Sequence, residues 1–173
     1  MNLKKISHIF LTLVIIMLCQ GCNSVDDERI PNMPVNISIA NSGLWNTYGV
    51  SGFGSYRTFS LSPREPSSFP YTSKSATGFG GVLLIEGIDP FLGNTSAPMA
   101  YDLACPVERS PQTKVRIDGE SYMAICPVCG SSYDVTLQRG APVGGPAATG
   151  KYKFALKTYT CLRTNEGGYY ITN

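Results

Sequence analysis

Apolar positions along this chain recur with period two and hardly anywhere with the period of a helix. Val35-Asn-Ile-Ser-Ile39 alternates strictly and puts Val35, Ile37 and Ile39 on one face of a predicted strand. Further strands are predicted at Tyr56–Leu61, Val82–Ile85, Met99–Leu103, Lys114–Ile117, Ser121–Ile125 and Tyr152–Leu162. A last one, Tyr169–Thr172, follows the Glu166-Gly-Gly168 turn and closes a terminal hairpin. Val82-Leu-Leu-Ile85 is apolar at every place, the pattern of a strand covered on both faces. No window sustains i, i+3, i+4 apolar spacing between helix caps. Between Ser62 and Gly81 the chain is rich in Ser, Pro, Gly and Thr, has no apolar period, and reads as a long structural insertion. No internal repeat is visible. These elements predict an all-β domain, an antiparallel sandwich or small barrel.

One apolar run departs from the pattern. Ile9 to Leu18 follows Lys4 and Lys5 and precedes Cys19-Gln-Gly-Cys22. It is too short to span a bilayer. The segment resembles a bacterial lipoprotein signal, in which Gly21 would precede the cut and Cys22 would become the acylated first residue. That resemblance divides the chain into a signal at 1–21, a lipidated tether at 22–33 and a domain at 34–173. It places the protein in the cell envelope, held to the outer membrane by lipid and facing either the periplasm or the surface. Asn23-Ser-Val-Asp-Asp-Glu28 resembles the surface-export signals of lipoproteins in the Bacteroides group; a flexible polar tether is the plain alternative.

Charge narrows the partners. The chain holds 14 Lys and Arg against 12 Asp and Glu, and loss of Lys4 and Lys5 leaves the two signs equal. A neutral domain lacks the clustered positive charge that nucleic acid requires. Its membrane attachment would rest on the lipid, and its remaining partner would be another envelope protein. The only histidine, His8, lies in the leader. The mature domain therefore has no histidine base, no Ser-His-Asp triad and no histidine-ligated metal. Asp102 and Asp134 flank the cysteine loops and read as turn and strand-end hydrogen-bond acceptors. Gly78 to Gly81 is no phosphate loop, since neither the following Lys nor a helix is present.

What remains is sulfur. Beyond Cys22 the chain carries Cys105, Cys126, Cys129 and Cys161, an even number for an exported protein. Cys105-Pro-Val-Glu108 follows one predicted strand, and Cys126-Pro-Val-Cys-Gly-Ser-Ser-Tyr-Asp134 follows another. The Ile117-Asp-Gly-Glu120 turn between them brings the two loops side by side. Cys161 follows Tyr159 on one face of a strand and reads as a small buried apolar side chain.

The order and spacing of these loops, with Gly145-Pro-Ala147 downstream, resemble the cluster-binding half of a Rieske iron–sulfur domain over about residues 99–147. The resemblance implies that Cys105 and Cys126 occupy the places of the two thiolate ligands. Val107 and Cys129 occupy the places of the two histidines, and Ser131 and Tyr133 those of the hydroxyls that bond to cluster sulfur. A [2Fe–2S] centre needs four protein ligands, and valine offers no lone pair. The expectation is therefore a Rieske-like domain with a degenerate site that carries no cofactor. A disulfide, Cys105–Cys126 or Cys105–Cys129, would cross-link it, and its role would be structural or binding rather than enzymatic. The alternative function is electron transfer through a [2Fe–2S] cluster with unconventional ligands, and the alternative metal is zinc on Cys105, Cys126 and Cys129 with Glu108 as fourth ligand. Thiol–disulfide exchange at Cys126 and Cys129 is a third function, although that motif normally opens a helix and here leads into a turn.

Overall fold

A computed structural model describes residues 25–26, 28–89, 93, 95–150 and 153–173. Residues 1–24, on which the expected leader and the expected lipidation at Cys22 fall, lie outside the described residues. In chain order the elements are β1 (Val25–Asp26), β2 (Val35–Asn41), α1 (Ser42–Tyr48), β3 (Tyr56–Leu61), β4 (Arg64–Glu65) and β5 (Ala76–Thr77). Then come β6 (Val82–Asp89), β7 (Thr95–Asp102), β8 (Arg116–Ile117), β9 (Ala124–Ile125) and β10 (Ser132–Asp134). The last are β11 (Ala141–Gly144), β12 (Lys153–Phe154), β13 (Thr158–Arg163) and β14 (Gly167–Thr172). The all-β expectation holds.

Eight strands form one antiparallel sheet in the order β4-β3-β6-β7-β13-β14-β2-β5. It curls into a half-barrel that brings β5 back near β3. The concave side holds one core: Val35, Ile37 and Ile39 from β2, Phe59 from β3, Val82 and Leu84 from β6, with Tyr159 and Ile171. The strict alternation of β2 is thus explained, its odd positions facing inward and its even ones outward.

A second core lies behind β6 and β7. Leu83 and Ile85, on the reverse face of β6, pack with Met99, Tyr101 and Leu103 against Cys105, Ala124, Cys126, Tyr133 and Leu156. The run from Val82 to Ile85 is apolar throughout because each face of β6 covers a different core. Above this second core stands a four-stranded sheet, β11-β10-β9-β8. Its β8–β9 hairpin is the one predicted from the Ile117–Glu120 turn.

Three departures have local causes. The helix α1 was not predicted, because its seven residues are too few to show an apolar stripe. Its ends are capped, the Asn41 side chain accepting from the Leu44 amide at 2.9 Å and the Gly49 amide donating to the Trp45 carbonyl at 2.8 Å, and Leu44, Trp45 and Tyr48 pack against the concave core. The segment 62–81 is largely loop as expected, yet it is tied in by β4, by β5 and by Phe69, which is buried against Phe59 and Tyr48. The strand predicted from Tyr152 to Leu162 is two strands, β12 and β13, parted where the Leu156 amide bonds to the Gly140 carbonyl. Among the described residues no helix is long and apolar enough to cross a membrane.

Candidate functional site

Two strand ends deliver the cysteines to one place. β7 runs out at Asp102, and the chain continues through a bridge between Ala104 and Lys114. The Cys105 amide donates to the Thr113 carbonyl at 3.0 Å, which fixes the base of the first loop. β9 leads into the second loop, whose base closes through the Cys126 amide and the Ser131 carbonyl at 2.8 Å. Pro106 and Pro127 follow the cysteines directly, and each loop then turns sharply back.

The three sulfurs of Cys105, Cys126 and Cys129 all lie within 4.8 Å of one another. The Cys105 and Cys129 sulfurs are 3.7 Å apart. Cys105 and Cys126 are buried, while Cys129 is half-exposed at the rim. Cys161 is also a thiol but packs against the other core, so it is not part of this group. Glu108 is half-buried beside the first loop, and its carboxylate stands outside the three-sulfur group.

The expected disulfide is not formed: all four described cysteines are free thiols. A bonded pair would sit at about 2.05 Å. At 3.7 Å the Cys105 and Cys129 sulfurs are in contact without a bond. The juxtaposition expected of the loops is present; the covalent link is not.

Hydroxyls surround the sulfurs where they were expected. Tyr133 is fully buried, with its hydroxyl 3.4 Å from the Cys105 sulfur. Burial, and next the Cys105 sulfur itself, push its phenol well above the usual range, so it stays protonated and able to donate. Ser131 is fully buried and accepts the Ala147 amide at 3.0 Å, which leaves its own proton free for a neighbour. That neighbour is Cys129, whose thiol lies 3.2 Å away. The Cys129 thiol donates while it keeps its proton, and the Ser131 hydroxyl donates in return once the proton is lost.

The two contacting thiols are driven apart in acidity. Burial pushes Cys105 up to about 12, only partly opposed by Tyr133 and by the Glu108 and Val107 amides. Burial also opposes ionisation of Cys129. There, however, the Ser131 hydroxyl and amide, with Cys126 and Cys105 adding to them, outweigh it and hold the thiol below the ordinary cysteine range. The first proton therefore leaves from the Cys129 side, and Cys105 keeps its own. Ser131→Ala is expected to move the alkylation profile of Cys129 to higher pH. Iodoacetamide labelling of the reduced, metal-free protein against pH, with the modified peptide identified by mass, checks this. An unmoved profile would show that the hydroxyl does not set the acidity.

Other residues fall where hydrogen bonding alone would put them. Asp134 accepts the amides of Thr136 and Leu137 at 3.0 and 2.8 Å, an Asx turn with no partner acid. Asp102 accepts the amides of Phe79 and Gly80 at 2.9 and 3.0 Å and so anchors the segment 78–81. The sequence reading missed one relation: the two loops are the same turn. The repeated Cys-Pro-Val at 105 and 126 was the signal, three residues long and too short to stand out as a repeat. No family model matches the chain, and a search of curated proteins finds no relative.

Proposed function

We propose that the chain is a lipid-anchored protein of the bacterial cell envelope. Its Rieske-like domain serves as a structural or binding module for another envelope protein and does not carry electrons. The observation that supports this reading is the donor set. A [2Fe–2S] centre takes four protein ligands, two on each iron. Here Val107 stands at one of the four expected places, and Cys129 touches Cys105 at 3.7 Å, where the cluster should hold them apart. These residues do not fit a two-iron cluster. Thiol–disulfide exchange at Cys126 and Cys129 is also disfavoured, since Cys126, the usual attacking thiol of such a pair, is only 1% exposed.

The test uses the full chain, expressed in a Gram-negative host and extracted anaerobically from membranes. Labelled fatty acid should be incorporated, and Cys22→Ala should abolish both the label and the membrane attachment. The purified protein should show no iron–sulfur absorption and no acid-labile sulfide. Two irons and two sulfides per chain would overturn the reading and restore electron transfer. Soluble, unlabelled wild-type protein would overturn the anchor.

A further inference from the structure

Cys105-Pro-Val-Glu-Arg109 and Cys126-Pro-Val-Cys-Gly130 share their first three residues, and their backbones share much more. In the first loop the Arg109 amide donates to the Cys105 carbonyl at 2.9 Å; in the second the Gly130 amide donates to the Cys126 carbonyl at 3.0 Å. The fifth residue has positive φ in both, 53° at Arg109 and 70° at Gly130. A non-glycine residue rarely adopts that conformation, so Arg109 marks a turn imposed by the loop rather than by its own preference. Overlaying the turns pairs Cys105 with Cys126 and Glu108 with Cys129.

We infer that Cys105, Cys126, Cys129 and Glu108 together form a tetrahedral site for a single zinc ion, with Glu108 filling in the first loop the place that Cys129 fills in the second. This rests on the reading above that no two-iron cluster occupies the loops.

The sulfur geometry suits one ion. Zinc–thiolate bonds of about 2.3 Å set the edge of a tetrahedron at about 3.8 Å. The Cys105–Cys129 separation of 3.7 Å matches such an edge, and no pair in the group exceeds 4.8 Å. Three sulfurs leave one vertex open. The matching turns give Glu108 in the first loop the position of Cys129 in the second; its carboxylate, outside the sulfur group in the metal-free chain, would have to turn inward to reach the ion.

Charge is the obstacle, since three thiolates and a carboxylate exceed the two positive charges of zinc. Donors to sulfur offset it. Tyr133 stands against Cys105, Ser131 against Cys129, and the Val107 and Glu108 amides donate to Cys105. Zinc binding would displace the three thiol protons to solvent, so affinity should rise with pH.

The full chain, extracted reduced and anaerobic and then stripped with chelator, is titrated with Co2+ and afterwards with Zn2+. One cobalt per chain is expected, with thiolate charge-transfer absorption and the intense visible bands of a tetrahedral ion, displaced by one zinc. Glu108→Gln should weaken binding at least tenfold and alter the visible bands. Glu108→Cys should add a fourth thiolate to the charge-transfer band and bind more tightly. Cys129→Ser should abolish the tetrahedral spectrum while the far-UV dichroism of the domain persists.

A Glu108→Gln variant with wild-type affinity and spectrum would overturn the assignment of the fourth ligand. A folded wild-type chain that takes up neither metal and arrives without iron would overturn the zinc site alone. Arrival with two irons and two sulfides would overturn both the site and the reading it rests on.

Discussion

Asp102→Ala is expected to lower the unfolding free energy by about 4 kcal/mol or more, since each buried donor left unpaired costs roughly 1–3 kcal/mol. Asp102 is fully buried at the end of β7, and its carboxylate gathers four donors from three segments. The Phe79 amide reaches Oδ2 at 2.9 Å, the Gly80 amide Oδ1 at 3.0 Å, the Ala104 amide Oδ1 at 2.7 Å and the Tyr159 hydroxyl Oδ2 at 2.6 Å. Burial pushes the pKa of this carboxyl up, making it a weaker acid, and the Tyr159 hydroxyl and the three amides oppose that shift. Alanine would strand all four donors in a space that water reaches poorly. The loss is a large share of the roughly 5–15 kcal/mol that holds a domain together. Urea unfolding followed by circular dichroism measures it. Asp102→Asn keeps one carbonyl oxygen and should cost less than alanine. Asp102→Ala with a loss under about 1 kcal/mol would mean that the segment relaxes to hydrate its amides.

The weight on Asp102 could not be read from the chain. Sequence identified it as a strand-end acceptor, which it is, but three of its donors come from elsewhere. Gly78 to Gly81 carried no signal beyond turn propensity, and Tyr159 lies 57 residues away along the chain. Strands, by contrast, were legible wherever one face meets one core. Val35 to Ile39 could be read from alternation alone. Val82 to Ile85 could be read from its lack of alternation, because β6 separates two cores. Structure held by hydrogen bonds at its ends was not legible: α1 depends on Asn41, and the break between β12 and β13 on a single contact to Gly140.

The candidate site shows the same division. Three cysteines in two loops declared their meeting place, since a hairpin between them leaves little freedom. The state of the sulfurs did not follow from spacing, because a disulfide and a shared ion demand nearly the same loop geometry and differ by under 2 Å in sulfur separation. Ser131 and Tyr133 were found through resemblance and not through periodicity. Their burial then explains their use, since a buried hydroxyl must find a partner and sulfur is the one at hand.

Gly145→Ala should show how far the site depends on the loop that supports it. Gly145 sits at a φ of 70°, a conformation in which a side chain costs about 1 kcal/mol. A Cβ built there would lie 2.7 Å from the Ser131 Cα, 2.8 Å from the Gly130 oxygen and 2.9 Å from the Ser131 nitrogen. All three are backbone atoms, so no side chain can rotate aside; the Gly145-Pro-Ala147 loop must move off the second cysteine loop. Overpacking of that kind costs about 1–3 kcal/mol, which with the backbone term gives an expected loss of about 2–4 kcal/mol. The displacement also has a chemical consequence. It pulls the Ala147 amide away from the Ser131 hydroxyl, now 3.0 Å distant, and frees that hydroxyl to turn from Cys129. The Cys129 alkylation profile should then move to higher pH, in the same direction as for Ser131→Ala, although no residue touching the thiol has changed. Gly119→Ala is the control: a Cβ there meets nothing within 4 Å, and neither stability nor thiol acidity should shift. A destabilised Gly145→Ala protein with an unmoved Cys129 profile would separate the packing of the loop from the acidity of the site. A shift in both would show that the glycine loop sets the hydrogen bond through which Cys129 loses its proton first.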